Sequence, residues 1–283
     1  MVSKVTGPNG VPITEMQANN SMSEAVQLWI GRPKVGKTST ACALGTVAKK
    51  YGLDINPFVF VFEKGTGGVQ FTGTSKQCPV CKGTGKQGKS KCSECLGDGV
   101  VRHVLSSIAE IKEWFKWFAD ESPYNLAIID TGDAMFQTVA DCVCADLGVP
   151  SPVQANDHGN TWYAIFDMMR ELIAILGASG KGIIFLMHVY MMEKRLRGAT
   201  VTTATFNISG KTRQYLSQIA NQILYLDIVP DGDGEDRHTL FAHAQSGIEA
   251  GDQWGIFPAE LDLGDSAEEA AEAMLTAWGY LEE

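Results

Sequence analysis

Eight consecutive residues, Gly31-Arg32-Pro33-Lys34-Val35-Gly36-Lys37-Thr38, carry chemistry that needs these types in this order. The spacing GxxxxGK(S/T) is that of a P-loop, which cradles the phosphates of a nucleoside triphosphate. Gly31 and Gly36 permit a tight turn whose N–H groups converge on phosphate oxygens. Lys37 reaches the β and γ phosphates as a point charge, and Thr38 offers a hydroxyl to Mg²⁺. The nucleotide-contacting set is therefore Gly31, Arg32, Pro33, Lys34, Val35, Gly36, Lys37, Thr38 and Ser39.

A second constellation is made of sulfur. Cys78-Pro79-Val80-Cys81 and Cys92-Ser93-Glu94-Cys95 form two CxxC pairs ten residues apart. Each pair predicts a tight knuckle with both thiolates on one side of a turn. Two knuckles supply the tetrahedral four-sulfur set that zinc favours, with no open position for catalysis. Each CxxC runs on into GxG, through Gly83 and Gly85 and through Gly97 and Gly99. Residues 78–99 thus resemble the CxxCxGxG zinc repeat of DnaJ-type chaperones, in two copies, which implies one zinc ion. The segment has almost no large apolar residues, so a metal must hold it together. Cys42, Cys142 and Cys144 read as small buried residues instead.

Strands and helices must bring these groups together. Val26-Gln27-Leu28-Trp29-Ile30 reads as a buried strand entering the P-loop, and Thr38 to Lys50 as a helix leaving it, closed by Gly52. That helix aims its positive N-terminal end at the phosphates. Pro57 to Glu63 is an aromatic and β-branched strand ending in a carboxylate. Ser107-Ile108-Ala109-Glu110 is a capping box that opens a helix through Trp117. Leu126 to Asp130 is an apolar strand ending in Asp, a Walker B pattern that places Asp130 with Thr38 around Mg²⁺. Thr161 to Leu176 has helical periodicity, and Gly182 to His188 is another buried strand with a polar tip. Asn221 to Ile228 and His238 to Ala244 read as two strands joined by an acidic Gly-rich turn, and Ser266 to Leu281 as an acidic amphipathic helix. Long apolar strands alternating with helices imply an α/β fold with a mostly parallel sheet covered on both faces. In such a sheet the functional groups gather at the strands' carboxyl ends, where Glu63, Asp130 and His188 fall.

The chain has 283 residues and a net charge of −10. No apolar run is long enough for a membrane span, and the polar start lacks the apolar stretch of a signal peptide, so a cytoplasmic protein is expected. Its seven cysteines are then thiols or metal ligands rather than disulfides. The acidic total argues against wholesale nucleic-acid binding, but the distribution matters more. Eleven of 23 Lys and Arg fall in two short segments, 76–102 and 193–213. These are either solvated loops or contacts for an anionic polymer.

The arrangement resembles the RecA-like ATPases, and more closely the compact phage Sak-type single-strand annealing and recombination ATPases. The resemblance rests on the P-loop, on Glu63-Lys64-Gly65, on Ile128-Ile129-Asp130-Thr131, on Ile183 to His188, and on Ser209-Gly210-Lys211-Thr212-Arg213. It implies a RecA-like core over 24–72 and 103–265, with a zinc insertion at 73–102, a polar segment at 1–23 and a helix at 266–283. It implies that Glu63 polarises the attacking water and that His188 senses the γ-phosphate. It further implies DNA contact through a loop from Tyr190 to Ser209 carrying Lys194, Arg195 and Arg197, and action on a neighbour's nucleotide by Lys211 and Arg213. The resulting expectation is a DNA-stimulated ATPase, with ATP, Mg²⁺ and Zn²⁺ bound. It would act on single-stranded DNA in recombination or annealing as a ring or filament of identical subunits, with a single-strand-binding protein as a further partner and no membrane. Two rivals are a P-loop nucleotide kinase with a zinc lid and a nucleotide-dependent loader or scaffold.

Overall fold

The computed structural model describes residues 20–63, 71–95, 98–196, 199–208, 210–230, 236–245 and 247–282. In chain order the elements are β1 (Val26–Gly31), α1 (Lys37–Lys50), β2 (Pro57–Val61), β3 (Ser75–Gln77), β4 (Lys86–Gln87), β5 (Ser90–Lys91), β6 (Val100–Arg102), α2 (Ile108–Asp120), β7 (Leu126–Asp130), α3 (Gly132–Leu147) and α4 (Asn160–Gly177). There follow β8 (Gly182–Leu196), β9 (Ala199–Phe206), α5 (Gly210–Ile219), β10 (Gln222–Pro230), β11 (Asp236–Phe241), β12 (Gly251–Asp252), β13 (Glu260–Asp262) and α6 (Ala267–Ala277).

One nine-stranded sheet forms the centre, in the order β13-β11-β10-β1-β8-β7-β2, with β12 on β10 and β9 on β8. The five strands from β10 to β2 run parallel. The antiparallel strands flank them. Period-two side-chain alternation explains how both faces are buried. Leu28 and Ile30 of β1, with Phe58 and Phe60 of β2, pack into one cluster beneath α2, α3, α4 and α5. Trp29 of β1 and Val59 and Val61 of β2 pack into a second cluster with α1 and α6. α6 buries Ala270, Ala271, Met274 and Leu275 in that second cluster and starts with a full capping box on Ser266 and Glu269. Among the described residues no helix is long and apolar enough to cross a membrane.

The β1–β8–β7 order fixes the site. β8 lies between the P-loop strand and the Asp130 strand, with His188 opposite Gly31 and Leu186 opposite Asp130. Two expectations change here. His188 is not a strand tip, because β8 continues to Leu196. The segment from Tyr190 is not a loop either, because β8 and β9 pair antiparallel from Val189↔Phe206 to Leu196↔Ala199. The β-branched run Thr200-Val201-Thr202-Thr203 explains this preference for strand.

The cysteine-bearing insertion leaves from the sheet's edge. β3 pairs with β6, and β4 with β5. Its two legs are tied to β2. Val59 N donates to Thr72 O, Thr74 N to Val59 O, and Leu105 N to Val61 O, each at 2.9 Å. Thr74, 1% exposed, also accepts from Val61 N through Oγ1 and donates to His103 O. A Cβ at Gly73 would lie 2.3 Å from Val59 O, so the close approach of leg and strand needs glycine.

Candidate active site

The P-loop fills the turn from β1 into α1. Gly36 has φ +94°, and a Cβ at Gly31 would lie 2.5 Å from Leu226 O on the neighbouring strand. Neither position tolerates a side chain without movement. α1 begins at Gly36 with no side-chain cap and no acid in its first turn. By contrast, Ser107, Thr131 and Ser266 cap α2, α3 and α6. The unpaired first-turn N–H groups of α1 thus form an anion seat.

Lys37 is 5% exposed, and its Nζ donates to Gly31 O and Arg32 O, both at 2.8 Å. Burial pulls its pKa down to about 8, against the opposing pull of the Asp133, Asp130 and Glu63 carboxylates. The ammonium remains the principal form at neutral pH. Arg32 is exposed, with its Nε 3.7 Å from Asp227 Oδ1.

Asp130 ends β7 and is 1% exposed. Its Oδ1 accepts from Thr38 Oγ1 at 3.1 Å, while Oδ2 is buried without a partner. Burial raises its pKa to about 6. The bond from Thr38 and the charges of Lys37 and His188 oppose this, and Glu63 adds to it. A buried carboxylate oxygen with no donor is costly alone. Beside a hydroxyl at a phosphate seat, it suits a hard divalent cation such as Mg²⁺.

Glu63 sits two residues beyond β2, half-buried. The bond from Phe62 N to Asp130 O, 2.8 Å, holds that turn beside β7. The Glu63 charge is felt by Lys37, Asp130 and His188, so these four expected residues share one electrostatic site.

One residue escaped the sequence reading. Asp133, in the first turn of α3, accepts from His188 N through Oδ1 at 3.1 Å and pairs with His188 Nδ1 through Oδ2 at 2.7 Å. Burial would raise the Asp133 carboxyl, but the bond and charge of His188 hold it below its ordinary value. Its sequence signal was an acid three residues past Asp130, opening a helix beside the strand ends.

Other expected residues lie elsewhere. Lys211 Nζ stands 3.9 Å above the Tyr163 ring, beside a hollow of ≈ 320 Å³ lined by Trp162, Phe166 and Gly210. Arg213 Nη1 meets Met192 Sδ at 3.3 Å. These contacts are with α4 and the hairpin, not with the P-loop. Lys194 and Arg195 fall on β8 opposite Val201 and Thr200, and Arg197 lies outside the described residues.

The thiols of Cys78, Cys81, Cys92 and Cys95 are buried, and their sulfurs lie within 4.8 Å of one another. Cys78 to Cys92 is 3.9 Å and Cys81 to Cys95 is 3.6 Å. A tetrahedron with zinc–sulfur bonds of about 2.3 Å has edges of about 3.8 Å, so the cluster fits zinc. Gly99 N also donates to Cys95 Sγ at 3.3 Å, as a thiolate would favour. Around the cysteines the packing is otherwise thin, with Val101 the apolar neighbour.

No curated protein matches the chain. Among solved structures, it is similar to a KaiC-like protein, PH0186, from the hyperthermophilic archaeon Pyrococcus horikoshii OT3. That likeness has a TM-score of 0.44 at 12% identity and covers 87% of this chain and 88% of that one. The model of one family, described as "AAA domain", matches residues 23–254. With the P-loop, the Asp130 strand and the sheet order that places β8 between them, this match makes the chain a member of the AAA domain family and a P-loop ATPase of RecA-like fold.

Proposed function

We propose that the protein hydrolyses ATP and couples the nucleotide state to single-stranded DNA, as an oligomer in recombination or annealing. The observation that carries this reading is the continuity of β8. One 15-residue strand runs past the P-loop, through His188, and out into a hairpin bearing Lys194 and Arg195 in its sequence. A shift at the phosphates therefore has a stiff path to a basic arm, the kind of element that can bias polymer affinity. The resemblance to Sak-type ATPases supplies the choice of DNA.

In this reading Lys37 and the N–H groups of α1 bind the phosphates, and Glu63 orients the attacking water and takes its proton. Thr38 and Asp130 would hold Mg²⁺, which supplies charge neutralisation at the phosphates when bound. Cys78, Cys81, Cys92 and Cys95 would hold zinc, which supplies a structural cross-link. Lys211 and Arg213 would act on a neighbour's nucleotide, and Lys211 would leave the Tyr163 ring to do so. Exposed Lys76, Lys82, Lys86, Lys89 and Lys91 on the insertion add backbone contacts that weaken with salt. The legs tied to β2 count against the insertion as a kinase lid, which must swing.

The test is phosphate release with and without single-stranded DNA, with Lys37→Ala as control. Stimulation by DNA, abolished in Lys37→Ala, supports the reading. Phosphate transfer to a nucleoside would instead favour the kinase. Hydrolysis that ignores DNA would favour a loader or scaffold.

A further inference from the structure

We propose that Asp133 is a positioning residue that locks the His188 ring so that its Nε2 becomes a donor to the γ-phosphate only when the ring is charged, making the preference for ATP over ADP dependent on pH. This rests on the nucleotide reading of the P-loop given above. The geometry is a two-point clamp. One carboxylate of Asp133 takes both the main-chain N–H of His188, at 3.1 Å, and its ring Nδ1, at 2.7 Å. A carboxylate only accepts, so Nδ1 must carry the proton in either charge state of the ring. In the neutral ring Nε2 is then a bare lone pair, which repels a phosphate oxygen. In the charged ring Nε2 is an N–H, which binds it. The clamp thus removes the neutral tautomer that could also have donated.

The placement suits that role. His188 lies opposite Gly31, the first P-loop glycine, and its ring is part-exposed where Asp133 is part-buried. The charged groups that act on it come from every neighbouring element. They are Asp133 on α3, Lys37 on α1 and Glu63 beyond β2, with Asp130 at the end of β7 feeling its charge in turn. The Asp133 bond lifts His188 above its ordinary value; burial and Lys37 oppose this, and Glu63 assists. The preference for ATP is therefore full below that raised value and is lost as pH rises through it.

The experiment measures ATP and ADP dissociation constants by calorimetry at saturating Mg²⁺ across pH, for the wild-type chain, Asp133→Asn and His188→Gln. A charged hydrogen bond corresponds to roughly a tenfold change or more in the ATP/ADP ratio. Expected is a fall of that size in the wild type, a smaller fall at lower pH in Asp133→Asn, and no fall in His188→Gln. A fall unmoved in Asp133→Asn, or one that persists in His188→Gln, overturns the inference. So does tight ATP binding with a ratio flat in pH. Failure to bind ATP at any pH overturns the nucleotide reading itself, and this inference with it. Should Asp133→Asn not fold, the wild type alone decides by NMR. Its His188 resonance, identified by loss in His188→Gln, must titrate above the ordinary imidazole range and shift with ATP more than with ADP; an ordinary titration, or equal shifts, overturns the inference.

Discussion

Replacing Asp130 with Asn should make the nucleotide-free protein more stable while it destroys Mg²⁺-dependent turnover. The Asp130 carboxyl is raised from its ordinary 3.8 to about 6, chiefly by burial. That difference corresponds to about 3 kcal/mol of folding free energy. The sign follows from proton counts. Between pH 3.8 and about 6 the folded chain keeps a proton on Asp130 that the unfolded chain has released. Stability from this group therefore falls as pH rises through that window, and the loss is complete above it. Asn carries no charge to bury, and its carbonyl can still accept from Thr38. Its amide replaces the unpaired Oδ2, and an unpaired buried donor costs about 1–3 kcal/mol. The net gain at neutral pH is at most about 2 kcal/mol, or a rise of up to about 4 °C in Tm for a chain of this size. The assay is thermal melting with chelator, from pH 4.5 to 7.5, on both proteins. Their difference should open with rising pH and level off above about pH 6. Added Mg²⁺ and ATP should then stabilise the wild type more than the variant. A variant less stable than wild type at pH 7.5, or a difference flat across the range, would refute the assignment of Asp130 as a strained, cation-seeking carboxylate.

Two other outcomes are expected. Glu63→Gln should leave ATP binding intact and slow phosphate release by about 10²-fold or more, because it removes a general base without altering shape; unchanged turnover would assign the water to another group. Stripping the metal with a strong chelator should raise amide exchange through residues 75–102 while the α1 and β1 amides stay protected, since the insertion has little apolar packing of its own. Loss of protection across the whole sheet would contradict that separation.

Much of this was legible because the governing signals are local. The P-loop, the strand entering it and the Asp130 strand are contiguous runs whose residue types leave few alternatives. The four cysteines needed only their spacing. What stayed hidden depends on contacts distant in sequence. Asp133 and His188 are 55 residues apart, and nothing at either position names the other. The hairpin replaces the expected loop because the β-branched residues from Thr200 to Thr205 favour strand, and their partners on β8 complete the pairing. The ties between Thr74 and β2 were also invisible, since a lone threonine before a cysteine knuckle has no pattern to mark it.

Those ties bear on how the protein avoids its own kind of error. β2 closes one side of the sheet, and a bare row of strand amides and carbonyls invites another chain to add on. Thr72, Thr74 and Leu105 occupy that row at Val59 and Val61. Shortening the chain by excising the cysteine-bearing excursion at its roots would therefore do more than delete an appendage. It would unmask a sticky border, and the trimmed protein would be recovered as aggregates even though every element of the nucleotide pocket remained in its sequence.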